Sequence, residues 1–266
     1  AQFSRTLRAI RKVAQIAASR FGVDISAVRI TATDTGKVPN TSATAASSGT
    51  DLNGMAVQAA CDTIRDRIAA HLAERHQTRP DAVHFADGKV IVGGEQLSFA
   101  QAAASAYENR VSLSSTGYYK TPEIEWDRIA GRGRPFFYFA YGAAVTEVVI
   151  DTLTGENRIL RADILHDAGT SLNPALDIGQ IEGGYVQGAG WLTTEELVWD
   201  AKGALRTHAP STYKIPAISD TPDVFNVAFM ALSDAVSACG DGFGNLQAPA
   251  TAEAVLTAIG KARNAL

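Results

Sequence analysis

The chain has 266 residues, 46% of them apolar and 20% charged, and a formal net charge of −4. This balance is typical of a globular protein with one large or two modest domains. No basic run interleaved with aromatic residues indicates nucleic-acid binding, and no apolar stretch approaches the roughly 20 residues of a membrane span. Cys61 and Cys239 are the only cysteines, lie far apart and have no neighbouring metal-ligand pattern. We therefore expect a cytoplasmic protein without nucleic-acid or membrane partners.

The N-terminal half begins with two predicted helices and a strand. The spacing of apolar side chains predicts a helix over 3–21, and the residues at 28–33 are typical of a strand. A second long helix follows the segment 38–51. Its apolar residues recur at spacings of three and four, as expected for a helix with one face in the core: Val57, Cys61, Ile64, Ile68 and Leu72.

Two short-range signals follow this helix. Asp87-Gly88 separates the apolar runs 83–85 and 90–92 and therefore predicts the turn of a β-hairpin. Ser98 and Gln101 have the spacing of a capping box, which predicts a helix from there to about Tyr107.

The C-terminal half mixes strands and helices. Residues 112–135, rich in Gly, Ser, Thr and Arg, predict a linker or surface loop. The elements predicted after it are strands at 136–150 and 158–166, a glycine-rich helix at 174–195, strands at 195–199 and 205–208, and helices at 230–239 and 249–262. Because the order lacks both an internal repeat and a regular βαβ alternation, we predict the α+β class. We expect two lobes, 1–110 and 111–266.

The segment 38–51 is a candidate ligand-binding loop. After Val38 it contains small, polar or turn-forming residues that cannot supply apolar bulk to a core. Such a segment can bring backbone N–H groups and short hydroxyls close to a large polar ligand, above all a phosphate. It runs into the second helix, which Thr50 or Asp51 could cap. A solvated loop is the alternative, because most loops are polar connections.

The helix over 174–195 is the second candidate. Asn173 and Pro174 are a cap and a first helical residue, and five glycines follow: Gly179, Gly183, Gly184, Gly188 and Gly190. Each glycine costs roughly 1 kcal/mol relative to alanine, so we expect close approach of a backbone or a flat ligand. Gln180 and Gln187 are two turns apart, and their amides could read the edge of a heterocycle. Tight helix packing is the alternative explanation for the glycines.

Patterns of metal ligation and of nucleophilic catalysis are weak. His71 and His76 share a helix but are five residues apart, which does not place them on one face. His84, His166 and His208 are isolated in the sequence. The chain has no nucleophile elbow, P-loop or dinucleotide fingerprint. We expect no metal ligand among its side chains.

Six short motifs occur along the chain in order: Val-Pro-Asn-Thr-Ser-x-Thr-Ala-Ala-Ser at 38–47, Ser-Thr-Gly-Tyr-Tyr at 115–119, Tyr-Phe-x-Tyr-Gly at 138–142, Asp-x-Leu-Thr-Gly at 151–155, Ser-Leu-Asn-Pro-Ala-x-Asp-Ile-Gly-Gln-x-Glu-Gly at 171–183, and Ser-Thr-Tyr-Lys-Ile-Pro at 211–216. Together they resemble the large, molybdenum-binding subunit of the xanthine dehydrogenase family. The resemblance runs from near Lys12 to about Ala228 and resumes from Phe229 to about Val255. It implies an elongated α+β molybdopterin-binding domain in two lobes.

The resemblance also implies a function. It indicates the cofactor-binding portion of an oxidoreductase of purine catabolism that hydroxylates hypoxanthine and xanthine towards urate. The implied cofactor is molybdopterin with molybdenum, which carries the difficult chemistry while the protein supplies orientation and electrostatics. Electrons would pass through 2Fe-2S clusters and FAD on other parts of the enzyme to NAD. The implied partners are a purine substrate, an FAD/Fe-S subunit and further copies in a homo-oligomer.

Carried over motif by motif, the resemblance assigns cofactor contacts to six residues: Thr44, Ala45, Ala46, Ser47, Ser48 and Gln180. Ala45 and Ala46 would line the substrate side, where a larger side chain would block access. Ser47 and Ser48 would donate N–H and hydroxyl groups to the pterin phosphate, and Gln180 would hydrogen-bond the pterin. Lys12 would help to neutralise a phosphate, or would be an ordinary solvated lysine.

Two junctions depart from the family pattern. Before Lys12 the family carries a Gly-Gln-Gly cofactor loop, and between Ala228 and Phe229 it carries a Gly-Glu-Pro-Pro segment with the catalytic glutamate. Neither is present here, so we expect no catalytic side chain and no activity from this chain alone. Each junction is interpreted as a place where intervening residues are missing, or else as a real deletion. The alternative functions are another molybdenum hydroxylase, acting on aldehydes or other N-heterocycles, or a non-catalytic scaffold that has lost the site.

Overall fold

The structure, a computed structural model, describes residues 2–31, 36 and 48–230. The chain divides into two compact units, Ala1–Phe137 and Tyr138–Leu266. Helices and small sheets, both antiparallel and mixed, make up the two units. The predicted α+β class is thereby confirmed.

The described part of the first unit contains three α-helices and two small antiparallel sheets. The helices are α1 (Gln2–Phe21), α2 (Gly49–Arg75) and α3 (Phe99–Glu108). The strands are β1 (His84–Ala86), β2 (Lys89–Val92) and β3 (Glu95–Ser98) in one sheet, and β4 (Glu125–Asp127) and β5 (Arg132–Arg134) in the other. Short 3-10 helices lie at Ile25–Ala27 and Pro80–Ala82.

The core of the first unit lies between α2, the first sheet and α3. Ile68 and Leu72 of the predicted α2 stripe are fully buried, together with Val90 and Val92 of β2. Ala102 and Ala106 supply the small buried face of α3. The three-and-four spacing in α2 therefore places its apolar side chains where the sequence pattern predicts.

Helix α1 packs against α2 through small residues and one ion pair. Ala14 and Ala18 of α1 are buried. Arg20 Nε donates to Asp62 Oδ1 at 2.6 Å across the two helices. This half-buried pair fixes how the two helices lie along each other.

The two local signals of the sequence are confirmed. Asp87 and Gly88 have φ values of 52° and 71° and form the turn that pairs Ala86 with Lys89. At the start of α3, the Gln101 N–H donates to Ser98 Oγ at 3.2 Å, and the Ser98 N–H donates to Gln101 Oε1 at 2.8 Å. This reciprocal pair is the predicted capping box.

The segment after α3 belongs to the first unit. Arg67 on α2 donates to the carbonyls of Ser112 and Ser114 at 3.3 and 3.0 Å. At Gly117 a Cβ would lie 1.8 Å from the carbonyl oxygen of Ala56, so the backbone lies directly on α2. These contacts attach 112–117 to α2, and the first unit extends to Phe137.

Within 138–230, the second unit has one mixed sheet with a helix against it. Its strands are β6 (Gly142–Ile150), β7 (Asn157–His166) and β8 (Val224–Phe229), with α4 (Pro174–Thr193) connecting β7 to β8 and a 3-10 helix at Ile218–Asp220. The strand order is β6-β7-β8, antiparallel and then parallel. The rings of Tyr185 on α4 and Phe225 on β8 lie 5.2 Å apart, so α4 covers one face of this sheet.

Several predicted elements are wrong or differ. Residues 28–31 form no strand, and 32–33 lie outside the described residues. The strand predicted from 136 begins at Gly142, and those predicted at 195–199 and 205–208 reduce to the single bridge Trp199–Leu205. Strands β3 and β8 were not predicted, and β4 and β5 lie within 112–135, where a linker or surface loop was predicted. Met230 is not helical, and the rest of the helices predicted at 230–239 and 249–262 lies outside the described residues, as does Cys239.

Both junctions that depart from the family pattern lie inside regular elements. Helix α1 continues through Arg11 and Lys12. Strand β8 continues through Ala228 and Phe229, which pair with Leu165 and His166 of β7. The described backbone therefore has no loop at either position.

Candidate functional site

In the first unit, the start of α2 is the described part of the predicted cofactor loop. Ser48 is the N-cap of α2, with its side chain making no capping hydrogen bond, and its carbonyl accepts from the Leu52 N–H at 3.0 Å. A helix N-terminus concentrates unsatisfied N–H groups and favours negative charge. The assignment of Ser48 to a phosphate is chemically consistent with this position. Four other predicted contacts lie outside the described residues: Thr44, Ala45, Ala46 and Ser47.

Three ionisable groups interact near this helix start. Burial raises the pKa of the Asp51 carboxyl, and the charge of Lys12 partly offsets that effect. Burial, followed by the negative charge of Asp51, raises the pKa of the Tyr119 phenol. The Asp51 carboxylate therefore lies within electrostatic range of Lys12. Its attraction for Lys12 competes with the neutralisation of a phosphate that was expected of Lys12.

The close approach at Gly117 connects two of the sequence motifs. Its missing Cβ allows the backbone to lie on α2 at Ala56, and the following residues bring Tyr119 within electrostatic range of Asp51. The motif at 115–119 and the end of the loop at 38–51 are thus neighbours in the first unit. Sequence analysis singled out both motifs but not the Asp51–Tyr119 interaction, because only the fold brings those residues together.

In the second unit, α4 begins as predicted. Asn173 is the cap, and its Oδ1 accepts from the Leu176 N–H at 3.3 Å, while Pro174 takes the first helical position. Ser171 donates its hydroxyl proton to Asp177 Oδ2 at 2.6 Å. These contacts fix the turn before α4 and hence the direction of its glycine-rich face.

The glycines of α4 fall into two groups. At Gly190, a Cβ would lie 2.2 Å from Cγ of Pro216 and 2.7 Å from Oε1 of Glu195, so packing within the unit requires a glycine there. At the other four positions a Cβ would meet nothing within 4 Å: Gly179, Gly183, Gly184 and Gly188. The described residues therefore explain one of the five glycines by packing and leave open space beside the rest.

Gln180 lies on α4 beside this open space. Its side chain is exposed, between Gly179 and the pair Gly183 and Gly184 along the helix. Its amide offers two donors and an acceptor, a set that suits the edge of a pterin. Gln187, two turns on, is also exposed but interacts with other residues of the structure. Ser48 and Gln180 belong to different units, and each is described in its own.

Each unit, taken by itself, offers a feature that suits part of an organic cofactor with an anionic tail. The first unit offers the N-terminus of a long helix, and the second offers an amide beside glycines with room for a flat group. In the described ranges, no three His, Cys, Asp or Glu side chains come together as ligands for a metal ion. Within the same ranges, no helix has the length and apolar character needed to cross a membrane.

These features are compatible with a domain that binds an organic cofactor. Residues 10–222 match the family model of the molybdopterin cofactor-binding domain. The chain therefore belongs to the molybdopterin cofactor-binding domain family. This match confirms the resemblance found in the sequence motifs and the nature of the cofactor.

Curated relatives point the same way. The chain is 43% identical over 226 residues to a xanthine dehydrogenase of Oryza sativa subsp. japonica, a match that covers 82% of this chain and 15% of the relative. It is 45% identical over 222 residues to a xanthine dehydrogenase of Dictyostelium discoideum, with the same coverage. The chain thus spans about 15% of the length of the relatives it matches.

Solved structures share the fold. Quinoline 2-oxidoreductase from Pseudomonas putida 86 matches with a TM-score of 0.66 and 26% identity, covering 82% of this chain and 27% of that one. The Cu,Mo-CO dehydrogenase in its carbon monoxide reduced state matches with a TM-score of 0.69 at 21% identity, over 82% of this chain and 27% of that chain. At that identity the second likeness shows the fold alone.

Proposed function

We propose that this chain forms the molybdopterin-binding portion of a xanthine dehydrogenase, which hydroxylates hypoxanthine and xanthine towards urate. The observation that carries the proposal is the open glycine face of α4 beside Gln180, in a chain of this family. Four glycines there have no packing partner among the described residues. A helix keeps such costly residues where another group must approach its backbone.

The residues of the chain would hold and orient the cofactor. Ser48, at the N-terminus of α2, would present N–H and hydroxyl groups to its phosphate. Gln180 would donate to and accept from the pterin edge, and the glycines would let the ring system lie against α4. Thr44, Ala45, Ala46 and Ser47 remain predicted contacts of the same kind. When bound, the cofactor supplies the oxidative hydroxylation chemistry.

The remaining machinery would lie outside this chain. The chain spans 15% of its relatives' length, and we propose that FAD and 2Fe-2S clusters on other parts of the enzyme pass electrons to NAD. An FAD/Fe-S subunit and further copies of the enzyme are the proposed protein partners, and the cytoplasm is the proposed location. Because the glutamate-bearing segment is absent between Ala228 and Phe229, this chain alone would not hydroxylate purines.

Two other functions have some support. The 26% identity to a quinoline 2-oxidoreductase favours a molybdenum hydroxylase acting on another N-heterocycle, and an aldehyde is the other substrate class. A non-catalytic scaffold would follow if the segment with the catalytic glutamate is truly deleted between Ala228 and Phe229. The open face of α4 argues for a retained cofactor site and against that scaffold.

The test is cofactor content in a matched pair of variants. Molybdenum per chain by mass spectrometry and pterin fluorescence after oxidation would be measured on the purified protein. Gln180→Ala should lower both severalfold, since it removes the amide beside the open face. Gln96→Ala, the same change at an exposed amide of β3 in the first unit, should leave both unchanged. Equal content in the two variants would contradict the role of Gln180, and cofactor-free wild-type protein would favour the scaffold.

A second measurement separates the substrates. The enzyme that contains this chain would be assayed with xanthine, an aldehyde and quinoline under identical conditions. The proposal expects the highest kcat/KM for xanthine. A preference for either of the other substrates would replace xanthine dehydrogenase by another molybdenum hydroxylase and leave the cofactor assignment intact.

A further inference from the structure

Strand β6 forms an open edge of the sheet in the second unit. It is nine residues long, from Gly142 to Ile150, and among the described residues its strand neighbour is β7 on one side. Four of its large apolar side chains are exposed to 49–62% of their surface: Val145, Val148, Val149 and Ile150. Its single charged residue is Glu147.

The strand is exposed on both faces as well as at its edge. Thr146 faces α4, since its hydroxyl lies 2.9 Å from the Tyr185 hydroxyl. Val145, the preceding residue, must point to the opposite face and is 62% exposed. In contrast, Ala162 on β7, the register partner of Thr146, is fully buried. Helix α4 thus buries the middle of the sheet at Ala162 and contacts β6 at Thr146, but leaves Thr146 and the large apolar side chains of β6 exposed.

A nine-residue edge strand with exposed apolar side chains is unusual in a native protein. Unpaired N–H and C=O groups along an edge strand are a template for another strand, and proteins normally protect them with lysine, proline, short length or a cover. β6 carries one glutamate, and the extra residue at the register shift between Glu147 and Val148 is Leu160 on β7, so β6 itself has no bulge to protect its edge. Its sequence is rich in valine, which favours strand pairing.

The second unit also buries little apolar surface of its own. Of the buried apolar residues in the described chain, Ala162 alone lies in this unit. At the same time, the chain spans 15% of its curated relatives and 27% of the quinoline 2-oxidoreductase chain. Most of a related enzyme therefore lies outside this chain and is available to cover these strands.

From these observations, we propose that the outer edge of β6 pairs with a β-strand supplied by the part of the enzyme outside this chain. The proposal rests on the proposed function in assigning this chain to a larger enzyme. The added strand would carry apolar side chains on both faces, to meet Val145 on one face and Val148 on the other. A lysine or arginine opposite Glu147 would complete the match.

Amide hydrogen exchange, followed by mass spectrometry, tests the pairing. In this chain alone, the backbone N–H groups of β6 that point away from β7 should exchange rapidly. In the complete enzyme they should exchange at least tenfold more slowly, since the added strand would accept from them. Peptides covering Lys89–Val92, the central strand of the first sheet, should exchange slowly in both samples and serve as the internal control.

Two outcomes would overturn the proposal. Rapid exchange of β6 in the complete enzyme would show that no strand pairs there. Slow exchange in the isolated chain that depends on its concentration would identify a second copy of this chain as the occupant. Molybdenum content, measured on the same sample, keeps this result separate from the proposed function, because a cofactor-loaded enzyme with an open β6 would refute the pairing alone.

A matched pair of variants sharpens the test. Val145→Lys places a charge on β6 and should restore rapid exchange at its outward amides in the complete enzyme. Val224→Lys makes the same change on β8, at the other edge of the sheet, where the side chain is 43% exposed. It should leave exchange of β6 unchanged, and equal acceleration by both variants would contradict a strand partner specific to β6.

Discussion

Gly190 and Gly183 occupy the same helix but differ in what surrounds them. A Cβ at Gly190 would lie 2.2 Å from the Pro216 ring, whereas at Gly183 it would meet nothing within 4 Å. Gly190→Ala should therefore lower the free energy of unfolding by about 1–2 kcal/mol, because overpacking outweighs the gain in helix propensity. Gly183→Ala should raise it by up to about 1 kcal/mol. Urea unfolding of the two variants measures both effects.

The same two variants distinguish packing from cofactor binding. If the open face of α4 receives the cofactor, Gly183→Ala should lower molybdenum content although it stabilises the protein. Gly190→Ala should lower the free energy of unfolding but change the molybdenum content per folded chain less than Gly183→Ala does. Unchanged molybdenum content in Gly183→Ala would mean that the open face has another use.

Asp51 gives a pH-dependent prediction at the residue scale. Burial raises the pKa of its carboxyl above the ordinary value of 3.8, with Lys12 opposing the shift. A raised pKa means that folding favours the protonated form, so the folded state loses stability as pH rises from below 3.8 through the raised value. Relative to wild type, Asp51→Asn should therefore gain stability over that interval and show no relative change below it.

The control for this measurement is an exposed carboxylate on the same helix. Asp66 on α2 is exposed and paired with Arg65. Asp66→Asn makes the same chemical change at this exposed position and serves as the reference for Asp51→Asn. Chemical unfolding at a series of pH values provides the data, and a constant difference for Asp51→Asn across the series would contradict the raised pKa.

At the scale of elements, the capping box is a small isolated determinant of stability. Ser98→Ala removes the acceptor for the Gln101 N–H at the start of α3. Since Ala102 and Ala106 of this helix are in the core, the loss should reach the whole first unit, at about 1 kcal/mol. Ser112→Ala, at an exposed serine outside any helix, is the control and should change the unfolding free energy by less than about 0.5 kcal/mol. A decrease in unfolding free energy of less than about 0.5 kcal/mol for Ser98→Ala would show that the cap contributes little to stability.

Elements with a strong local signal were predictable from sequence. The apolar periodicity of α2, the Asp87-Gly88 turn and the Asn173-Pro174 start each depend on a few neighbouring residues, and all are present. β3 was not predictable because its residues, Glu-Gln-Leu-Ser, are mostly polar, and it exists through pairing with β2. The run at 28–31 has strand-like residues but no pairing partner in the described structure.

The candidate site was predictable in part for the same reason. Gln180 and the glycines could be found because they lie in one helix with an unusual composition. That Gly190 differs from the other glycines could not, because the difference depends on Pro216, 26 positions later in the sequence. The interaction of Asp51 with Tyr119 similarly joins residues far apart in the sequence, because the segment containing Tyr119 packs against α2.

For the whole molecule, the uneven distribution of buried residues predicts unequal resistance to proteolysis. The main apolar cluster lies between α2, β2 and α3 in the first unit, and Ala162 is the sole buried apolar residue described in the second. Arg128, Arg132 and Arg134 are exposed in the β4–β5 hairpin, just before the division at Phe137. Trypsin should therefore cut first at this hairpin in the isolated chain.

The products should then diverge, because local opening is easier where little apolar surface is buried. A fragment containing 49–108 should persist, while the part that follows Arg134 should be degraded further. In the complete enzyme, where other parts of the protein would cover the second unit, both products should survive the same treatment. Gel electrophoresis with mass spectrometry identifies the fragments. A C-terminal product that outlasts the N-terminal one in the isolated chain would show that the second unit is stable without a covering partner.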